Sequence, residues 1–482
     1  MKSSLLLAAA SLFGLGLTKN TNDSTIVTYP IPSGIAQRTT FKTSISPSGQ
    51  EKWETVEAYQ ATVAEANITT GSSIYHYTSA AYFDFSAPVD VSIEYMGPDP
   101  IKSVQLRPYS YSIKPVIKGK KILFTLPEPR NIVIQVNNDI FDCLHLFSNA
   151  IDPNPPSADD PNVIYFGPGV HSVANGTTNV ASGKTVYVAG GAVVTSNFAF
   201  QNVSNASIRG RGVVNHSKAG ALLVESSKNI TVEDLIFLNP NGYTLTAGEA
   251  DGLTVKNIRS FSSVGWGDGL DFFCCKNVMV DGVFMRNSDD CVALYQHRWN
   301  YYGNSSNITI QNSALWADVA HPINIGTHGN SENPETMDGV TIRNIDILRQ
   351  HELQQLYEGT LAINVGDENL VQNVLVDGFR VEDISIGQLI NMRVIYNTMY
   401  NTAPGRGIHN VTVKNMSYNG TSAGTSIFSG YDETRTISFI NFQNLIVNNT
   451  HIADNMRKPS WYLATDYIPA FVDAFVSNMT FT

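Results

Sequence analysis

The chain has 482 residues, 43% hydrophobic and only 15% charged, with 31 basic against 42 acidic side chains and a formal net charge of -11. An ordinary soluble chain carries roughly 25% charged residues, and disorder needs low hydrophobicity with high charge, so a disordered chain is excluded. The acidic balance also argues against a nucleic-acid backbone or an anionic membrane surface as partner.

At the start, Met1-Lys2-Ser3-Ser4 precedes a largely apolar run from Leu5 to Leu17 and then polar Thr18-Lys19-Asn20. A short basic start followed by a short apolar stretch with small residues predicts a secretory signal over residues 1–19. The run is shorter than the roughly 20 residues that span a bilayer, so no membrane anchor is expected. The glycan-acceptor pattern N-x-S/T recurs from Asn22 and Asn67 through Asn205, Asn229, Asn307 and Asn410 to Asn478. Each instance is weak alone, but together they fit a secreted, extracellular glycoprotein. The four cysteines, Cys143, Cys274, Cys275 and Cys291, are too few for a disulfide framework. Cys291 is left with Cys274 or Cys275 as a candidate partner, and no C-x-x-C pair offers a zinc site.

Residues 25–150 carry short alternating segments bounded by Gly, Pro and Asp, such as Val89-Asp90-Val91-Ser92-Ile93-Glu94-Tyr95 and Ile132-Val133-Ile134-Gln135-Val136. Period-two alternation of this kind predicts a β-sandwich. Asp152-Pro153-Asn154-Pro155-Pro156 cannot continue a ladder and reads as a linker over residues 151–160.

From residue 161 to 482 the texture changes to short units that begin with Asn or Asp and alternate thereafter. Units begin at Asn205, Asn229, Asp251, Asn277, Asn307, Asp338, Asn373 and Asn410, with a period in the twenties that lengthens to 30 or more in the middle. One strand in register per unit, with Asn at the corner, predicts a parallel β-helix and an all-β fold. Leucine-rich repeats and propellers are excluded, because their consensus and blade-length spacing are absent.

The densest acidic cluster of this region is Gly267-Asp268-Gly269-Leu270-Asp271 with Asn287-Ser288-Asp289-Asp290-Cys291. The two segments are close to one helical turn apart, so Asp268 should meet Asp289 and Asp290 on one wall. Clustered carboxyls cannot all ionise cheaply; one becomes a general acid while others stay charged, as glycosidic cleavage requires. The competing readings are turn aspartates, as Asp281-Gly282 and Asp377-Gly378 are read, or a calcium site. His321 and His328 follow a turn or two later. Tyr295, His297, Arg298 and Trp299 form an aromatic and polar run that suits one side of a sugar cleft, with Asp271 beside it.

These segments resemble the inverting glycoside hydrolases built on a right-handed parallel β-helix: the polygalacturonases of family 28 and the dextranase and isopullulanase group of family 49. Gly267-Asp268-Gly269, Asp289-Asp290-Cys291 and His321-Pro322-Ile323-Asn324-Ile325-Gly326 resemble the polygalacturonase Asn-Thr-Asp, Asp-Asp-Cys and histidine segments, with Trp266-Gly267 in place of Asn-Thr. The resemblance implies Asp289 as general acid, Asp268 and Asp290 around the water, and His321 in support. The polygalacturonase Arg-Ile-Lys that clasps a uronate falls on Leu361-Ala362-Ile363-Asn364-Val365, which has neither cation. The front domain, and the stretch from Trp316 to Pro322, resemble the dextranase group.

The expectation is a secreted, monomeric inverting hydrolase of a polysaccharide, with a neutral glucan first and a pectic chain second. Asp268, Asp289, Asp290 and His321 are expected to be catalytic. Asp271, Tyr295, His297, Arg298, Trp299 and His328 are expected to bind substrate, with no metal or cofactor. A lyase on the same kind of helix and a non-catalytic carbohydrate-binding protein are the competing classes.

Overall fold

The computed structural model describes residues 25–354 and 357–482, so the signal expected over residues 1–19 lies outside the described residues. The front part folds as two facing sheets. One has six strands, in the order Ile26–Thr28, Ser73–Phe85, Leu144–Ala150, Asn131–Val136 and Val104–Arg107, with Ala58–Ala66 paired to Ser73–Phe85. The other has five: Glu54–Val56, Phe41–Pro47, Val89–Tyr95, Lys121–Leu126 and Val116–Lys118. Alternation does what the sequence predicts: Ile45, Val91, Ile93 and Ile122 meet Phe83, Ile132, Ile134 and Leu144 between the sheets. Each such side chain, fully buried, contributes roughly 1.5–3 kcal/mol.

The remaining strands, Val163–Phe166 to Val476–Phe481, form one continuous sheet of 30 strands in which strands pair in parallel from turn to turn. This is a parallel β-helix. Leu245, Leu270, Val292, Ile323, Leu361 and Ile390 stack in register inside it, one above another.

The corner asparagines form the expected ladder. Asn229 Nδ2 donates to Asn205 Oδ1 at 3.1 Å, and Asn307 Nδ2 to Asn277 Oδ1 at 2.8 Å. All four have φ of 53–54°, a left-handed conformation that Asn tolerates better than most residues. Where Asp251 and Asp338 replace Asn, each still accepts the ladder bond (from Asn277 and Asn373), and the following Gly252 and Gly339 take the positive φ of 79°. Asp281 and Asp377 are turn aspartates as read, accepting from Asn312 and Asn415 in a second ladder.

The outer face of the six-stranded sheet packs on the side of the helix. Tyr59, Val63, Tyr82 and Phe147 meet Ile236, Phe261, Phe284 and Trp316 in one apolar cluster. Buried Arg286 crosses this seam, paired with Asp318 at 2.8 Å and donating to the Ile140 carbonyl.

The cysteine pairing left open by the sequence is not made: all four cysteines are buried and free. Cys291 is held in register with the Gly269–Leu270 end of strand Leu270–Phe273, whereas Cys274 and Cys275 follow its other end. Strand length separates the sulfurs.

Candidate active site

The strands Leu270–Phe273, Val292–Tyr295 and Ile323–Ile325 lie on successive turns, and the turns that enter them carry the acidic residues. Gly269 N donates to the Asp290 carbonyl and Cys291 N to the His321 carbonyl, so Asp268, Asp290 and His321 rise as a column. Packing here is tight. A Cβ on Gly269 would come within 2.3 Å of the Cys291 carbonyl oxygen, and one on Gly267 within 2.5 Å of Ser288 Oγ. The two glycines flanking Asp268 therefore let neighbouring turns close up.

Asp290 is buried and fully engaged. Its Oδ1 accepts from His321 Nδ1 at 2.7 Å and from the His321 amide at 3.2 Å, and its Oδ2 accepts from Tyr295 Oη at 2.7 Å and Asn324 Nδ2 at 3.0 Å. Burial opposes its charge, but the His321 charge and these donors outweigh it and hold the carboxyl below its usual range. Burial also opposes the charge on His321, yet Asp290 lifts it to about 9. With Nδ1 on a carboxylate and Nε2 on the Tyr357 carbonyl, both ring nitrogens are donors, which is the imidazolium form.

Asp289 differs in every respect. It is more open to solvent, and among the described residues its carboxylate accepts only from the Asp290 amide, at 3.0 Å. Burial, then the neighbouring Asp290 charge, push it up to about 7. Asp268 and Asp271 are buried and raised well above the usual range, first by desolvation and then by the surrounding carboxylates. The Asp268 Oδ1 is buried and has no hydrogen-bond partner among the described residues.

Asp268, Asp289 and Asp290 line a cavity of about 760 Å³ together with Tyr295, Arg298, His321 and His328. Arg298 donates to His328 Nε2, and burial plus this guanidinium push His328 down to about 3, so it stays neutral. The other expected sugar contacts stand differently. Asp271 is 1% exposed and does not line this cavity, and Tyr295 lines it with its hydroxyl bonded to Asp290. His297 lines a second cavity of about 460 Å³ beyond Arg298 and His328. Trp299 stacks on Tyr243, which lines the first cavity. The sequence did not single out Tyr243, Trp266, Asn324, Glu352, Tyr357 or Tyr400, all of which line it.

Among the described residues, Asp268, Asp289 and Asp290 each bring one oxygen within 4.8 Å of the others, a set that a cation could share. The donors on Asp290, including a cationic His321, occupy the lone pairs a metal would need. The site fits proton transfer better.

Residues 172–352 match the family described as glycosyl hydrolases family 28. A polygalacturonase of Chamaecyparis obtusa is 30% identical over 125 residues, covering 25% of this chain and 23% of that protein. An exopolygalacturonase of Cochliobolus carbonum is 26% identical over 211 residues, covering 39% and 45%. The chain thus spans about a quarter of the length of the plant relative and under half of the fungal one. Dex49A from Penicillium minioluteum shares the fold, with a TM-score of 0.65 at 12% identity over 95% of this chain and 96% of that one. The protein is a right-handed parallel β-helix with an all-β front part, and the segment that matches the family 28 model contains the entire column from Asp268 to His321.

Proposed function

We propose that this protein is a secreted hydrolase that cuts glycosidic bonds of a polysaccharide. The observation that carries this reading is the division between adjacent carboxyls: Asp289 is raised to about 7 and Asp290 held below its usual range. A proton donor beside a fixed negative charge is the pairing glycoside hydrolysis uses. Asp289 gives its proton to the glycosidic oxygen as that bond breaks. Water adds to the anomeric carbon and passes its proton to Asp290, the carboxyl held ionised. Asp268, raised and so protonated, lines the cavity where that water stands, and Asp290 is the carboxylate beside it. His321, Tyr295 and Asn324 hold Asp290 in place.

For the substrate, the sequence comparisons favour the pectic chain over the neutral glucan ranked first from the sequence. Arg298 supports it as a guanidinium lining the carboxylate cavity, where it can pair with a uronate. The glucan reading retains one observation: Ala362 and Asn364 offer no cation on the strand that follows Ile323–Ile325. Initial rates on polygalacturonate and dextran, with Asp289→Asn in parallel, test both. Cleavage of polygalacturonate alone supports the pectic reading; cleavage of dextran alone returns the glucan; cleavage of neither removes the hydrolase.

A further inference from the structure

The carboxylate cavity is not built by the helix alone. Ala66 and Gly71, from the hairpin that joins the sandwich strands Ala58–Ala66 and Ser73–Phe85, line it beside Asp268, Asp289 and Asp290. We propose that this hairpin loop, residues 67–72, is a wall of the substrate cleft that restricts cleavage to chain ends. The proposal rests on the hydrolase reading above and adds its mode of action.

The hairpin is placed, not draped. Its two strands pair continuously from Ala58–Ala81 to Ala66–Ser73, and the Thr62 amide donates to Asn239 Oδ1 of the helix at 2.9 Å. Ala61 and Val63 pack with Phe261 and Phe284, on the two helix strands that run directly into the Asp268 and Asp289–Asp290 turns. The loop itself is internally bonded. Asn67 Oδ1 accepts from the Thr69 and Thr70 amides at 2.9 and 3.0 Å, and Gly71 N donates to the Asn67 carbonyl at 2.8 Å.

Position then decides the effect. The hairpin stands where the chain enters the site strands. Arg298 and His328 stand on the opposite side, where the chain leaves Val292–Tyr295 and Ile323–Ile325, with the second cavity of about 460 Å³ beyond them. A polymer lying in that second cavity crosses Arg298, passes the carboxylates and meets the hairpin. The loop Asn67-Ile68-Thr69-Thr70-Gly71-Ser72 carries no charge, so it neither clasps nor repels a uronate. It acts by shape and hydroxyl contact on the terminal sugars.

The test replaces residues 67–72 with a two-residue Asn-Gly turn, which suits a hairpin, and leaves the packed strands intact. Products from polygalacturonate and dextran are followed by size from the first minutes, for wild type and variant. Amide exchange across the loop is measured in Asp289→Asn with oligogalacturonide and isomaltooligosaccharide ladders. The expected result is short products from wild type, a mixed ladder from the variant, and loop amides protected by oligosaccharide. Mixed products from wild type at the outset, or unchanged short products from the variant, overturn the proposal. If neither protein cuts any polymer the hydrolase reading fails, and the exchange footprint alone decides: a protected loop keeps the wall, an unprotected one removes it.

Discussion

His321 Nδ1 donates to Asp290 Oδ1 across 2.7 Å of buried space, and that contact sets the charge of the whole site. It fixes Asp290 as a carboxylate and His321 as an imidazolium. The charge so fixed, after burial itself, keeps the proton on Asp289.

Activity should therefore fall as pH rises through about 7, where Asp289 loses the proton it must donate. On the acid side it should fall as Asp290 gains one, below the usual carboxylate range. A pH profile of kcat/KM whose basic limb lies well above 7 would assign the acid elsewhere.

Replacing His321 should disturb both the charge of Asp290 and the stability of the fold. The raised His321 contributes stability that is fully present below pH ~6.5 and lost as pH rises through about 9. The depressed Asp290 contributes stability present above pH ~4 and lost as pH falls through its folded value. His321→Ala should thus be destabilised most between these limits, by about 3–5 kcal/mol for a buried pair broken on one side. The gap to wild type in denaturant melts should narrow toward pH 9, and the acid limb of the rate profile should move upward. A gap independent of pH would mean the pair carries no charge.

Arg298→Gln tests the substrate. A charged hydrogen bond to a uronate is worth about 1.5–3 kcal/mol, so kcat/KM on polygalacturonate should fall roughly 10–100-fold. Any neutral glucan that is cut should be affected far less. Equal losses on both would make Arg298 a structural brace for His328.

Much of the fold is legible in the sequence because its forces are local and periodic. Asn205, Asn229 and Asn307 recur because each fills a left-handed corner and bonds the turn before or after it. The same residues open N-x-S/T patterns, so part of that signal has a structural origin. Asp268, Asp289, Asp290 and His321 were legible because they sit in dense local motifs, and the structure gathers all four. Tyr357, Tyr400 and the 67–72 hairpin were not, since they reach the cavity from distant turns and from the sandwich. Tyr295 lines the cavity as expected, but with its hydroxyl already engaged. Its neighbours in sequence suggest a sugar platform, but strand register turns it onto Asp290.

The ladder makes its own prediction. Asn307→Ala puts at φ of 54° a residue that tolerates the left-handed region less well than Asn and removes the bond to Asn277, so unglycosylated protein should lose about 1–2 kcal/mol in chemical denaturation. Asn307→Gly restores the backbone freedom and should lose less. Equal losses would place the cost in the hydrogen bond alone.

The most direct test is the anomeric configuration of the first product, read by NMR for wild type and Asp289→Asn. Inverting enzymes usually hold their carboxyl groups about 6.5–9.5 Å apart, and here the nearest oxygens lie within 4.8 Å. Inversion is still predicted, because Asp290 is engaged on both oxygens and is not free to attack the sugar itself. Asp289→Asn should lower the rate by about 10²–10⁴-fold with the fold retained. Net inversion lost in that variant establishes Asp289 as acid and water as nucleophile. Retained products, or a variant as active as wild type, would contradict the account.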